Sequence, residues 1–412
     1  AYHTFDEITE RLEEWESKHP LDVKVDVLGY GWDTKRGLAH RPIYVTTIGR
    51  PSPQKPAILL LGGIHAREIA ATDTVLLLLE NLLEGRENFS QESKLLDDVV
   101  IYAIPCLNPD GRARVFDGNI WWRKNCRPGR NGRISGVDLN RNFGFHYGSN
   151  YPRGGSSGAP SSEVYRGPRA FSEPETQALR KFIRERDEIV ASLSFHSYGG
   201  FLLVPFGYDG KWPKGDEELY REVAREMTRK TSWDVGTVRE LLGYYSNGRH
   251  DDWLYGERDE KKRIMAFQVE MGNTFFTESR DLADLAVQVG TVTEHLLERV
   301  TRKPSLELKW IFPNNPRKDK AQLALTLKNE RLTPLRSLSV SITSPLGKRY
   351  PVAQNIYLAG KFRGRGPHGM RRLVSVDRAC RGRFAISLKW DGGSVVEVLD
   401  LEEEIAGSLL ED

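Results

Sequence analysis

The chain has 412 residues, with 60 Lys and Arg against 57 Asp and Glu, a formal net charge of +3. That length exceeds one ordinary compact core and points to two domains, and so small a charge excludes a bulk electrostatic attraction to nucleic acid. No stretch reaches the roughly 18 apolar residues that would span a bilayer. Three cysteines, Cys106, Cys126 and Cys380, do not make a disulfide framework. A single Cys106–Cys126 bridge stays open, with Cys106 read as a small buried hydrophobe inside VVIYAIPCL. The chain starts at Ala1 without methionine, which suggests a processed product and a secreted or periplasmic location.

In chain order, Thr4-Phe5-Asp6-Glu7 reads as a capping box that opens an amphipathic helix ending before Pro20. Strands follow at VKVDVLGY from Val23, PIYVTTIGR from Pro42 and AILLL from Ala57. A leucine-rich helix from Ala71 to Glu84 leads to the strand VVIYAIPCL. A Gly/Asn/Arg/Ser-rich loop region is expected from Asn108 to Gly167, and loops of that length are usually functional. Ser172-Glu173-Pro174-Glu175 should cap another helix, followed by the strand IVASLSFHS. Helices at Asp216–Lys230, Asp251–Glu257 and Asp281–Arg302, with the strand IMAFQVEM among them, complete an alternating pattern. Strands alternating with helices predict an α/β fold, a mixed and largely parallel twisted sheet with helices on both faces. From Lys303 the pattern changes to short alternating runs, LELKWIF, QLALTLKN, SLSVSIT, RFAISLKW and VVEVLDL. Residues 303–412 are therefore expected to form a small all-β sandwich, with residues 1–302 as the first domain. The basic stretch Lys361–Arg372 within it reads as a solvated loop.

The chemistry gathers where apolar strands end. AILLLGGIHARE places His65 and Glu68 just past a buried strand, and His with Glu are typical ligands of a catalytic zinc. Of nine histidines, His196 alone repeats that placement, ending IVASLSFH before Ser197-Tyr198-Gly199-Gly200. His3, His40, His146, His250 and His368 lie in polar surroundings and are expected at the surface. A His2Glu site leaves one position for water, and hydrolysis then needs a base within reach. Glu270, closing IMAFQVE, is the candidate.

These motifs, in this order from Tyr2 to Arg302, resemble the zinc metallocarboxypeptidases of the carboxypeptidase A/B type, the M14 family. The resemblance implies one Zn2+ held by His65, Glu68 and His196, with Glu270 as general base. WWRKN then puts Arg123 at the oxyanion-stabilising position, and GVDLNRNF puts Asn140 and Arg141 on the substrate's terminal carboxylate. Arg67, Tyr198 and the mobile Tyr244 would contact substrate. Asp251 falls where basic-specific members differ from apolar-specific ones, so a C-terminal Lys or Arg preference is expected. Arg249 and His250 beside it depart from the family's small residues and could narrow the pocket or neutralise Asp251. The partners so implied are peptide or protein C-termini, with no nucleic acid and no membrane span. The competing readings are a peptidase of peptidoglycan stems and an inactive binding or adhesion protein. The Asn140-Arg141 pair argues against the first and the complete ligand set with Glu270 against the second.

Overall fold

The computed structural model describes residues 2–400 except 53–54, 88–95, 130–131, 150–153, 209, 214, 312–319, 333–334, 345–346, 359–360, 362, 364–367, 378–382 and 391–392. The chain divides into two compact units, Ala1–Thr301 and Arg302–Asp412. No helix among the described residues is long and apolar enough to cross a membrane. Cys380 and the C-terminal residues from 401, where a short helix could be read, lie outside the described residues.

The first unit is built on eight strands: β1 (Val23–Tyr30), β2 (Pro42–Ile48), β3 (Ala57–Leu61), β4 (Val100–Ile104), β5 (Ile189–His196), β6 (Phe201–Leu203), β7 (Asp234–Gly236) and β8 (Met265–Glu270). They form one sheet in the order β1-β2-β4-β3-β5-β8-β6-β7. The central strands β4, β3, β5 and β8 run parallel, while β1, β2 and β6 pair antiparallel to their inner neighbours. Every residue of β3, β4, β5 and β8 is buried, which is why β3 and β4 read as unbroken apolar runs and β5 and β8 as mostly apolar ones, without a solvated alternate face. Ala57, Leu59 and Leu61 pack into one core with Leu179, Phe182 and Trp253. Ile58 and Leu60, equally buried, point to the other face because successive strand side chains alternate. Helices Ile69–Glu87 and Leu282–Thr301 pack on β5 and on each other.

Local signals set most boundaries. The Thr4 capping box forms as read, with the Thr4 side chain on the Glu7 amide and the Glu7 carboxylate on the Thr4 N–H at 2.7 Å. The second expected box does not form. Glu173 is the N-cap of helix Pro174–Arg184 and makes no side-chain cap. Ser172 Oγ instead donates to Glu173 Oε1 at 2.6 Å, while Glu175 is fully buried and accepts from Asn125 at 3.1 Å. The segment expected as loop from Asn108 also holds a helix, Pro109–Phe116. Asn108 caps it, accepting from the Gly111 amide at 3.0 Å, and Pro109 at the first position is preset for the turn. The short elements β6, β7, Trp32–Lys35 and Val238–Leu242 carry too few residues to leave a periodic trace.

The second unit contains β9 (Ser305–Ile311), β10 (Lys320–Lys328), β11 (Leu335–Thr343), β12 (Arg349–Leu358), β13 (Gly369–Asp377), β14 (Arg383–Trp390) and β15 (Gly393–Asp400). They pair as antiparallel sheets β13-β10-β9 and β12-β11-β14-β15. Leu325 and Leu327 from one sheet share a core with Leu338, Val340, Ile342, Ile386 and Leu388 from the other, the arrangement of a sandwich. Two of these strands differ from expectation. In β12, Pro351 and shifted register against β11 obscure the alternation. Arg371 and Arg372 belong to β13, paired with β10, so the end of the basic stretch Lys361–Arg372 is strand and not loop; positions 362 and 364–367 lie outside the described residues.

Candidate metal centre and cleft

The parallel strands end together, and the candidate residues stand at those ends. In the β5–β8 register His196 is directly opposite Glu270, and β3 delivers the chain to Gly62-Gly63 and then to His65 and Glu68. The turn needs glycine. A Cβ on Gly62 would sit 2.5 Å from the Pro105 carbonyl oxygen, and Gly63 has φ +61°, a region that disfavours side chains. The carboxyl edge of a parallel sheet at a change of strand direction is where α/β folds place ligands.

His65, Glu68 and His196 are all buried and offer ligand atoms within 4.8 Å of one another. His65 Nδ1 lies 2.8 Å from Glu68 Oε1, His196 Nδ1 lies 2.9 Å from Glu68 Oε2, and the two Nδ1 atoms are 3.1 Å apart. On the far side of His65, Nε2 meets Asp138 Oδ1 at 3.1 Å. A carboxylate there requires N–H on Nε2, so in the neutral ring Nδ1 carries a lone pair. That lone pair faces a carboxylate oxygen and a second imidazole, a crowding of donors that a shared cation relieves. Two nitrogens and one carboxylate, braced behind by Asp138 and by Ser194 Oγ at 3.1 Å from His196 Nε2, suit zinc. Burial raises the Glu68 carboxyl, but the two imidazoles outweigh it and hold it well below the usual range. Burial lowers His196 to about 4, against the pull of Glu68.

These ligands open on a cleft of about 520 Å3. His65, Glu68, Arg67, Arg123, Asn140, Arg141, Tyr198, Tyr244 and Glu270 all line it; His196 is 1% exposed and stands behind the wall. Asn140 and Arg141 sit on the one-turn 3-10 helix Leu139–Arg141, capped by Asp138, whose Oδ1 accepts the Asn140 amide at 3.0 Å. Arg141 is fixed by Nε to the Gly155 carbonyl and Nη1 to the Asn140 carbonyl, both at 2.8 Å. Arg123 donates from Nε to Asp138 Oδ2 at 3.0 Å and from Nη1 to Glu68 Oε1 at 3.4 Å. Arg67 lies over the Phe275 ring, 4.6 Å from its centre. Tyr198 and Tyr244 are about half exposed, at 47% and 49%, and Tyr198 meets the Phe275 ring edge-on at 4.9 Å. Glu270 is 9% exposed. Burial, then the negative Glu68, push its carboxyl up to about 8, and the Gln268 amide donates to it.

Asp251 is where the expectation fails. It is 1% exposed and does not line the cleft. Both its oxygens are held by Arg249, from Nε at 2.9 Å and Nη2 at 2.7 Å. Burial raises its carboxyl, but the Arg249 guanidinium outweighs burial and keeps it ionised. Both oxygens of Asp251 are thus engaged by a bidentate arginine, the neutralisation that its neighbour Arg249 allows for. His250, expected at the surface, is also buried, 1% exposed, against the Phe143 ring. Burial lowers it to about 3, so it is a neutral packing residue. Cys106 and Cys126 are both buried and unpaired.

The sequence alone does not mark Asp138, Gln268 and Ser194 as parts of the site; Arg249 it does mark, as a neighbour that could neutralise Asp251, and the fork between the two fits that reading. Ser194 and Gln268 each precede a singled-out residue by two in a strand, so the period of two put them on the same face. Asp138 carried the weaker signal of lying two residues before Asn140.

A buried parallel sheet with two histidines and a glutamate at its carboxyl edge, facing a cleft rich in arginine, defines an α/β protein with a hydrolase-type metal site. Comparison with known proteins makes the assignment specific. The zinc carboxypeptidase family pattern matches residues 8–287, and the chain belongs to that family. Zinc carboxypeptidase A 1 of Anopheles gambiae is 33% identical over 267 residues, covering 63% of this chain and 58% of that protein. The chain thus spans little more than half the length of that relative. Carboxypeptidase B of Astacus astacus is 29% identical over 281 residues, 66% of this chain and 87% of its own. Among solved structures, bovine thrombin-activatable fibrinolysis inhibitor in complex with tick carboxypeptidase inhibitor aligns at TM-score 0.61 and 25% identity, over 72% of this chain and 97% of that one.

Proposed function

We propose that the chain is a zinc-dependent metallocarboxypeptidase that hydrolyses the C-terminal peptide bond of peptides or proteins. The observation that carries this reading is the convergence, in one cleft, of the His65–Glu68–His196 group, the buried Glu270 and the paired donors of Asn140 and Arg141. His65, Glu68 and His196 would hold one Zn2+, which when bound acidifies a water and polarises a carbonyl.

The other roles belong to the chain's own groups. Arg141, braced on two carbonyls, presents a planar cation to the substrate's terminal carboxylate, with the Asn140 amide beside it. Arg123, anchored on Asp138, supplies a fixed positive charge to the oxygen that becomes negative in the transition state. Glu270 takes a proton from the attacking water and returns it to the leaving amine; a carboxyl lifted toward neutral pH by burial suits both transfers. Tyr244, Tyr198 and Arg67 line the same cleft and are placed to contact the substrate. A Lys or Arg preference through Asp251 is not retained, because Arg249 already occupies that carboxylate.

Glu270→Gln is expected to bind zinc as the parent does and to lose about 10²–10⁴ of turnover, read by steady-state kinetics beside a metal titration. A chelator should abolish peptidase activity and added zinc restore it; activity that survives chelation contradicts the metal assignment.

A further inference from the structure

We propose that the side-chain pocket of this cleft selects substrates ending in an acidic residue, glutamate or aspartate, and that Arg249 is the residue that receives the side-chain carboxylate. This rests on the carboxypeptidase reading and specifies its substrate class.

Arg249 lines the same cleft as Asn140 and Arg141, yet it is only 3% exposed. It is held rigidly. Nε and Nη2 fork onto Asp251, and Nη2 also donates to Gln268 Oε1 at 2.8 Å. Its Cδ lies 2.3 Å from where a Cβ on Gly207 would stand, so only glycine leaves room for this side chain at that position. Among the described residues no hydrogen bond engages Nη1. The result is a preorganised cation whose remaining donor is left for a ligand, which lowers the ordering cost of binding.

Charge in the cleft points the same way. Its lining carries four arginines, Arg67, Arg123, Arg141 and Arg249, and two carboxylates, Glu68 and Glu270. A substrate's terminal carboxylate answers one arginine. The second, Arg249, is matched by a second carboxylate on the same residue, separated from the first by the length of the side chain. Asp251 cannot invert this preference, since its oxygens are turned to Arg249 and away from the cleft. The Arg249–Asp251 pair is close to neutral as a whole, but only Arg249 lines the cleft, so a lysine or arginine side chain would meet a donor and no acceptor, and an apolar one would desolvate Nη1 without giving it a partner.

The test uses the whole zinc-loaded 412-residue chain and N-blocked peptides that differ only in the last residue: Glu, Asp, Lys, Phe or Ala. Glu or Asp should give the highest kcat/KM and exceed Lys by at least about 100-fold, as expected for a site built to pair a polar group. Arg249→Met alone would strand a buried Asp251 carboxylate, so the variant of choice is the pair Arg249→Met with Asp251→Asn. It should reduce the Glu-to-Phe ratio of kcat/KM by at least about tenfold. Highest turnover on Lys, Phe or Ala overturns the inference while leaving the carboxypeptidase reading intact. An unchanged ratio in the double variant overturns the role of Arg249. Release of no residue from any of the peptides overturns the carboxypeptidase reading and this inference together. The ranking by the unmodified protein decides the matter even where the variant does not fold.

Discussion

Asp138 ties together three parts of the cleft through one carboxylate. Oδ1 meets His65 Nε2 at 3.1 Å and accepts the Asn140 amide at 3.0 Å, while Oδ2 takes Arg123 at 3.0 Å. Burial raises this carboxyl, but Arg123, Arg141 and His65 outweigh burial and keep it well below the ordinary range. The ligand's tautomer, the position of the oxyanion arginine and the turn bearing the clamp thus share one support. Asp138→Asn keeps the size but removes the charge, and zinc affinity is expected to fall about 10–100-fold, measured by competition with a metal-chelating dye. Unaltered affinity would mean that the His65 ring is oriented by packing alone. At this scale legibility followed position. His65, His196 and Glu270 stand out in the sequence because each interrupts an apolar strand at its end. Asp138 does not, because its role depends on rotamers and on partners elsewhere in the fold. Asp251 is legible by position as a pocket residue with Arg249 as its possible neutraliser, and the fork from Arg249 realises the second of these.

At the scale of elements, the helix His250–Gly256 is fastened to the loop after β6 by Asp252, whose oxygens accept the Gly207 amide at 3.0 and 3.1 Å. Asp252 is fully buried. Burial, with Asp251 adding to it, pushes its carboxyl up to about 8, against the opposing pull of Arg249 and the Gly207 and Tyr208 amides. The folded state therefore keeps a proton that the unfolded chain releases near pH 4. Stability from this group is fully present below pH 4 and is lost as pH rises toward 8. Asp252→Asn retains the acceptor for Gly207 and removes the titration. Its melting temperature, relative to the parent, is expected to rise between pH 4 and pH 8; a constant difference would show Asp252 ionised in the fold. Elements were legible in proportion to length and burial. β3, β5 and β8 declare themselves as apolar runs, whereas helix Pro109–Phe116 depends on a cap and a proline within eight residues, too short for a hydrophobic period. Ser172 and Glu175 match a capping pattern, but tertiary partners claim both side chains.

At the scale of the molecule, each unit closes its own core: the first around a sheet buried on both faces, the second between two antiparallel sheets. The change from helical to alternating patterning near Lys303 was legible because the two architectures bury their strands differently. Only the first unit carries the metal-type group among the described residues, and the family match lies within it, at residues 8–287. A cleft that sets Asn140 and Arg141 beside the metal-type group should act on a free C-terminus. Mass spectrometry of peptides paired as free acid and C-terminal amide, incubated with the zinc-loaded chain, tests it most directly. Stepwise loss of single residues from the free acids is expected, with at least about 100-fold slower release from the amides, because Asn140 and Arg141 then lack their carboxylate. Internal cleavage, or equal trimming of acid and amide, would contradict it.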